Sequence, residues 1–144
     1  MSASEDLDQV IEEYHAGLAE FVRGEPARFE AVFSQGEEVS IANPFGPARR
    51  GWADVAPTME RAAELYRDGE VAGFDEVSRG VGADMAYTVE VERYVAKIGG
   101  GAEAGDVALR VTTVFRREDG TWRVIHRHAD PIVSERPPDS VLQD

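Results

Sequence analysis

Between Leu7 and Val22 the apolar residues Val10, Ile11, Tyr14, Leu18, Phe21 and Val22 recur at steps of three and four. That spacing gathers side chains on one face and predicts an amphipathic helix. Gly24 ends it, Pro26 stands where a new helix begins, and Phe29, Val32 and Phe33 predict a short second helix folding back on the first. Val39 to Ala42 reads as a brief strand that stops at Asn43-Pro44-Phe45-Gly46, where proline removes a donor and glycine permits a turn. From Gly51 to Arg67 the helical spacing returns, with Trp52, Val55, Met59, Ala62, Ala63 and Tyr66 on one face and Gly69 as the expected stop. Beyond Gly69 the period drops to two through residues 71–77, 85–98, 107–117 and 121–133, separated by glycine-rich or Asp119-Gly120 turns.

Three helices followed by a run of antiparallel strands predict an α+β domain with its helices on one face of a curved sheet. A chain of 144 residues, 42% of them hydrophobic, can bury one core, so a single domain over residues 1–134 is expected, with a loose tail over 135–144. Charge narrows the partners: a net charge of -13 repels nucleic acid and anionic membrane surfaces. The absence of cysteine excludes a disulfide framework, a thiolate zinc site and a cysteine nucleophile. The start, Met1-Ser-Ala-Ser-Glu-Asp, is acidic and polar, and no apolar run reaches membrane-spanning length, so a cytoplasmic location is expected. Positive charge is almost wholly arginine, with Lys97 the lone lysine, as in the proteins of high-GC bacteria.

Three segments carry a resemblance. Val39-Ser-Ile-Ala-Asn-Pro-Phe-Gly46 is similar to the ketosteroid isomerase segment that ends in Asp-Pro-Phe-Gly. Val114-Phe-Arg-Arg-Glu-Asp-Gly-Thr-Trp-Arg-Val-Ile-His-Arg-His128 resembles the last hairpin of SnoaL-like and kinase-association domains, and Glu92-Arg93-Tyr94 resembles a strand of bacterial SnoaL-like proteins. Together with the element order, they make the chain similar to the nuclear transport factor 2-like superfamily from Leu7 to Ile132. The resemblance implies a cone-shaped roll of three N-terminal helices on a strongly curved, mainly antiparallel sheet. One fold hosts many functions, so it implies less about chemistry.

In the isomerases the aspartate of that turn is the general base, helped by a tyrosine and a protonated aspartic acid. Here the base position is Asn43, the tyrosine position falls near Gly17, and the acid position falls at Thr112 or Thr113. An amide accepts no proton near neutral pH, which argues against ketosteroid isomerase activity proper. Asn43 remains a candidate polariser of a ligand carbonyl, or simply a turn residue.

The registration that the resemblance implies turns Glu92, Tyr94, Val111, Thr113, Ile125 and Arg127 inward, toward Tyr14, Phe33, Asn43, Phe45, Val55 and Met59. This apolar cup with few polar groups suits a small hydrophobic ligand whose polar or acidic end meets Arg127. Glu92 is the candidate base, or the inert partner of Arg127 in an ion pair. The same registration turns Trp122, Val124, His126 and His128 outward, where related proteins pair subunits, and a homodimer is expected there. His126 and His128 share a strand face as a metal pair requires, but further ligands are lacking, so neither a metal nor another cofactor is expected. Two functions stay open: cofactor-free acid-base chemistry of an isomerase, cyclase or dehydratase type, and a non-catalytic ligand-binding accessory or oligomerisation module.

Overall fold

The computed structural model describes residues 3–143, with side chains described from residue 6 onward. Helix α1 (Ala3–Phe21) lays Leu7, Ile11, Tyr14 and Leu18 against the sheet, following the spacing in the sequence. The single turn α2 (Ala27–Glu30) folds back on it, anchored by the buried Phe29. Their close approach requires Gly17, where a Cβ would lie 2.7 Å from the Phe29 Cα.

Strand β1 (Ser40–Ala42) turns at Asn43–Pro47 and returns as a two-residue strand β2 (Arg49–Arg50), with Ser40 opposite Arg50. The sequence reading let the chain stop at the turn, since two exposed arginines carry no strand period. Helix α3 (Trp52–Glu64) buries Val55, Met59, Ala62 and Ala63.

Four long strands follow: β3 (Tyr66–Val81), β4 (Met85–Ile98), β5 (Gly105–Glu118) and β6 (Thr121–Asp130). The sheet order is β2-β1-β6-β5-β4-β3, antiparallel throughout except for the β1–β6 pair. The fold is α+β, with three helices and a curved, mixed six-stranded sheet. Register shifts along β3–β4 and β5–β6 supply the curvature.

Two sequence expectations change here. The helix expected to run to Arg67 ends at Glu64, and Tyr66 already pairs with Ile98 in β3. Gly69 is therefore not a helix stop. It lets β3 cross the end of α1, where a Cβ would sit 2.3 Å from the Val22 carbonyl oxygen.

The second correction concerns β6. Val114 pairs with His126 while Phe115 pairs with Val124, so Ile125 is an extra residue on β6. Alternation reverses across it. Trp122 and Val124 consequently turn into the core, 2% and 0% exposed, rather than outward as expected. Arg127 and Ala129 beyond the bulge also point inward, while His126 and His128 stay on the outer face. Arg117 lies over the Trp122 ring at 4.5 Å and covers its edge of the core. The segment after α2 pairs with β6 through Phe33 and Val124, continuing the sheet edge that β1 occupies further along. Residues 131–143 are exposed and include one 3-10 turn at Pro138–Val141.

Candidate functional site

Strands β4, β5 and β6 deliver Glu92, Thr113 and Arg127 to the inner face, and α1 delivers Tyr14 from the opposite side. Arg127 grips Glu92 with both ends of its fork: Nη1 donates to Oε2 at 2.7 Å and Nη2 to Oε1 at 2.8 Å. This two-bond geometry matches the planar guanidinium to the carboxylate. Tyr94 adds a third bond, its hydroxyl donating to Glu92 Oε1 at 2.5 Å. Arg127 also donates from Nη1 to the Tyr14 hydroxyl, which lies 2.7 Å from Thr113 Oγ1. Glu92, Thr113 and Tyr14 have no exposed surface, and Arg127 has 6%.

In such surroundings each charge survives only because the other is present. Burial opposes the Arg127 charge, but Glu92 outweighs it and holds the guanidinium protonated. Burial, reinforced by Glu92, raises Tyr94 well above the usual tyrosine range, and burial likewise raises Tyr14. Both hydroxyls therefore stay neutral, that of Tyr94 donating to Glu92 and that of Tyr14 accepting from Arg127.

One side of this network borders a recess of about 30 Å³, lined by Arg127 together with Phe21, Phe29, Ile41, Asn43, Pro44, Phe45, Met59, Ala62, Tyr66, Leu109 and Ala129. Arg127 is its one charged lining residue. Its guanidinium stacks near the Phe29 and Tyr14 rings, at 5.3 and 5.6 Å. Outside lies an open cleft of about 460 Å³ between the 43–49 turn and α3, and Asn43, Phe45 and Ala62 line both spaces.

The structure thus brings together Glu92, Tyr94, Thr113, Arg127 and Tyr14 in one network, and places Asn43, Phe45 and Met59 at the recess. Phe33, Val55, Val111 and Ile125 are buried in the core without lining it. Glu92 does not line it either; its carboxylate is enclosed by Arg127 and Tyr94. Phe45, expected deep in the cup, is 47% exposed at the rim, edge-on to Tyr66 at 6.1 Å.

Asn43 accepts a hydrogen bond from the Phe45 amide through Oδ1 at 2.9 Å, which makes it a turn residue first. Its backbone role leaves the side chain at the recess wall. Tyr66 and Leu109 were missed in the sequence. The first was read as helical; the second shares the inward parity of Val111 and Thr113, a signal that was available.

The three histidines go to different partners. His15 Nε2 lies 2.9 Å from Glu90 Oε1 with its ring stacked on Phe74, His126 Nδ1 lies 2.8 Å from Ser40 Oγ, and His128 pairs with Asp130 at 3.0 Å. Among the described residues no three acidic or histidine side chains converge as metal ligands.

Residues 7–134 match the family model of the SnoaL-like domain. The chain belongs to the SnoaL-like domain family. Among solved structures, this SnoaL-like domain is similar to a nuclear transport factor 2-like superfamily protein from Salmonella enterica (TM-score 0.76, 15% identity, 95% of this chain and 96% of that one). It is also similar to a ketosteroid isomerase-like protein from Erwinia carotovora (0.71, 15%, 88% and 94%) and a protein with a cystatin-like fold from Caulobacter vibrioides (0.67, 18%, 96% and 92%). At these identities the likeness is one of fold. Among curated proteins no sequence matches this chain significantly. No helix among the described residues is long and apolar enough to cross a membrane.

Proposed function

We propose that this SnoaL-like domain binds a small, mostly apolar molecule by one neutral acceptor, a carbonyl oxygen held by Arg127. The observation that carries the reading is a single guanidinium in an otherwise uncharged, largely apolar recess. Its bonds to Glu92 and Tyr14 use three of the five N–H donors of a guanidinium, so donor capacity remains for a ligand. Because Glu92 already neutralises Arg127, the site favours a neutral acceptor over an anion, whose desolvation no net charge would offset. The 30 Å³ recess has room for the carbonyl end, and the 460 Å³ cleft takes the apolar body.

In this reading Glu92 positions Arg127 rather than taking a proton. Both its oxygens are occupied, and a substrate proton has no path to them past Arg127 and Tyr94. The domain is then a binding module, the non-catalytic alternative of the sequence reading.

Calorimetric titration with 2-undecanone tests this. Binding to the wild type is expected, with loss of binding in the Arg127→Met/Glu92→Leu double variant, which removes both charges and keeps the core apolar. Equal binding by the two proteins overturns the role of Arg127. Accelerated exchange of the ketone α-protons in D2O, abolished by Glu92→Gln, would overturn the binding-only reading in favour of acid-base chemistry.

The homodimer expected from the sequence becomes a proposal resting on other residues, since Trp122 and Val124 point inward. Met85 and Tyr87, 47% and 42% exposed, adjoin Thr112 and Val114 on the outer sheet face. A second copy is proposed to cover them. Light scattering should give twice the chain mass, and Tyr87→Glu should give the single mass.

A further inference from the structure

With 28 acidic residues against 15 basic ones, seven of the 14 arginines have a carboxylate partner among the described residues, and what distinguishes Arg49 and Arg61 from the other unpaired ones is their place. Arg28, Arg79, Arg93, Arg110 and Arg116 all have carboxylate partners. Arg49 and Arg61 form no ion pair among the described residues, although both are exposed and long enough to seek one. They lie together at the mouth of the binding cleft. With Thr58 they line both the 460 Å³ cleft and an adjoining recess of about 150 Å³.

Thr58 meets Arg61. Its hydroxyl donates to the Asp54 carbonyl at 2.8 Å and accepts from Arg61 Nη2 at 3.2 Å, one bond that leaves most of the guanidinium donors uncommitted. The carboxylates nearby are Asp54, in the smaller recess, and Glu64, in the larger; neither pairs with either arginine. Arg49 comes from β2 and Arg61 from α3, so the pairing depends on the β1–β2 hairpin folding back beside the helix.

We infer that Arg49 and Arg61 form an oxyanion-binding mouth, which receives a phosphate or carboxylate at the outer end of the same ligand whose carbonyl reaches Arg127. Two planar guanidinia set on separate elements suit the several oxygens of such a group. The ligand class is then defined at both ends: a neutral acceptor inside, an apolar body, and an oxyanion outside. The inference rests on the pocket reading above for its inner half only. The overall negative charge repels anions at long range, so recognition is local and salt-sensitive.

The two halves are tested separately. Inorganic phosphate titrated into 15N-labelled protein should shift the amides of Arg49, Thr58 and Arg61 saturably, and the shifts should vanish in Arg49→Gln/Arg61→Gln. Both replacements are exposed, and unchanged thermal unfolding would show that the variant folds. No saturable shift overturns the mouth, whatever happens at Arg127. Next, 10-oxoundecyl phosphate and 10-oxoundecanoate are compared with 2-undecanone in calorimetry. At low salt an oxyanion is expected to tighten binding about tenfold, an advantage lost in high salt and in the double variant. A larger gain for the phosphate identifies a phosphate ligand, and a larger gain for the acid identifies a carboxylate. If 2-undecanone binds and neither oxyanion improves it, the mouth is overturned and the pocket stands. Phosphate shifts without ketone binding leave the mouth and overturn the pocket.

Discussion

Two arginine–carboxylate pairs lie on opposite faces of one sheet, and their geometry is nearly the same. Inside, Arg127 holds Glu92 at 2.7 and 2.8 Å; outside, Arg110 holds Asp130 at 2.7 and 3.1 Å from the neighbouring strand. Their surroundings differ completely. The inner side chains are 7% and 0% exposed, whereas that of Arg110 is 49% exposed. Bond lengths alone therefore say little about what either pair contributes. Water screens the outer pair and supplies alternative partners, so breaking it changes little. The inner pair has no such alternative, so loss of one member strands a buried charge.

The largest effect should come from stranding that charge. Arg127→Met is expected to lower unfolding free energy by about 3–5 kcal/mol in urea denaturation, while Arg127→Met/Glu92→Leu should recover most of it. If the single variant is as stable as the double, Glu92 is not the isolated charge supposed. A smaller loss, about 1–3 kcal/mol, is expected for Tyr14→Phe, which leaves an Arg127 N–H and the Thr113 hydroxyl without their partner. That loss should shrink when combined with the Arg127→Met/Glu92→Leu pair, as a double-mutant cycle would reveal.

Asn43→Ala removes the turn bond to the Phe45 amide and should cost about 0.5–1.5 kcal/mol, with weaker ligand binding as the rim loosens. On the outer face, Arg110→Ala should cost under about 1 kcal/mol, and this difference should fade as salt is added. A loss as large as that of Arg127→Met would abolish the contrast between the two faces.

The smallest effect concerns pH. Burial, with help from the neighbouring His128, lowers the pKa of His126 in the fold, so the unfolded chain binds its proton first. Its contribution to stability is thus complete above the unfolded value of about 6.5 and declines as pH falls through that value toward the lower folded one. Replacing His126 with Gln should flatten the stability profile over that window. An unchanged slope would show that His126 does not carry it.

Much of the fold could be read from period and punctuation. The step of three and four in α1 puts Tyr14 on its buried face, and the alternation along β4 and β5, with the registration that the family resemblance implies, turns Glu92, Tyr94 and Thr113 to the inner face, where they are found. Such alternation is local and survives as long as the strand is regular. It failed at β6, where one extra residue at Ile125 let Trp122 and Val124 share the inner side with Arg127. A bulge depends on the partner strand, so nothing in the sequence of β6 announces it. Tyr66 was lost to the helix pattern for a similar reason: its apolar ring fits the face of α3 as well as the start of β3.

By itself the sequence determined the run of helices followed by long strands, the α+β class and the lack of an aspartate at position 43, because these follow from side-chain period and residue identity; the cup of inward side chains came from the registration that the family resemblance implies. Only the tertiary structure decided that Glu92 is enclosed by Arg127 and Tyr94, that Tyr14 reaches across from α1, and that Arg49 and Arg61 meet at the cleft mouth. Those contacts join residues far apart in the chain, and their chemistry depends on how much water the surrounding packing excludes.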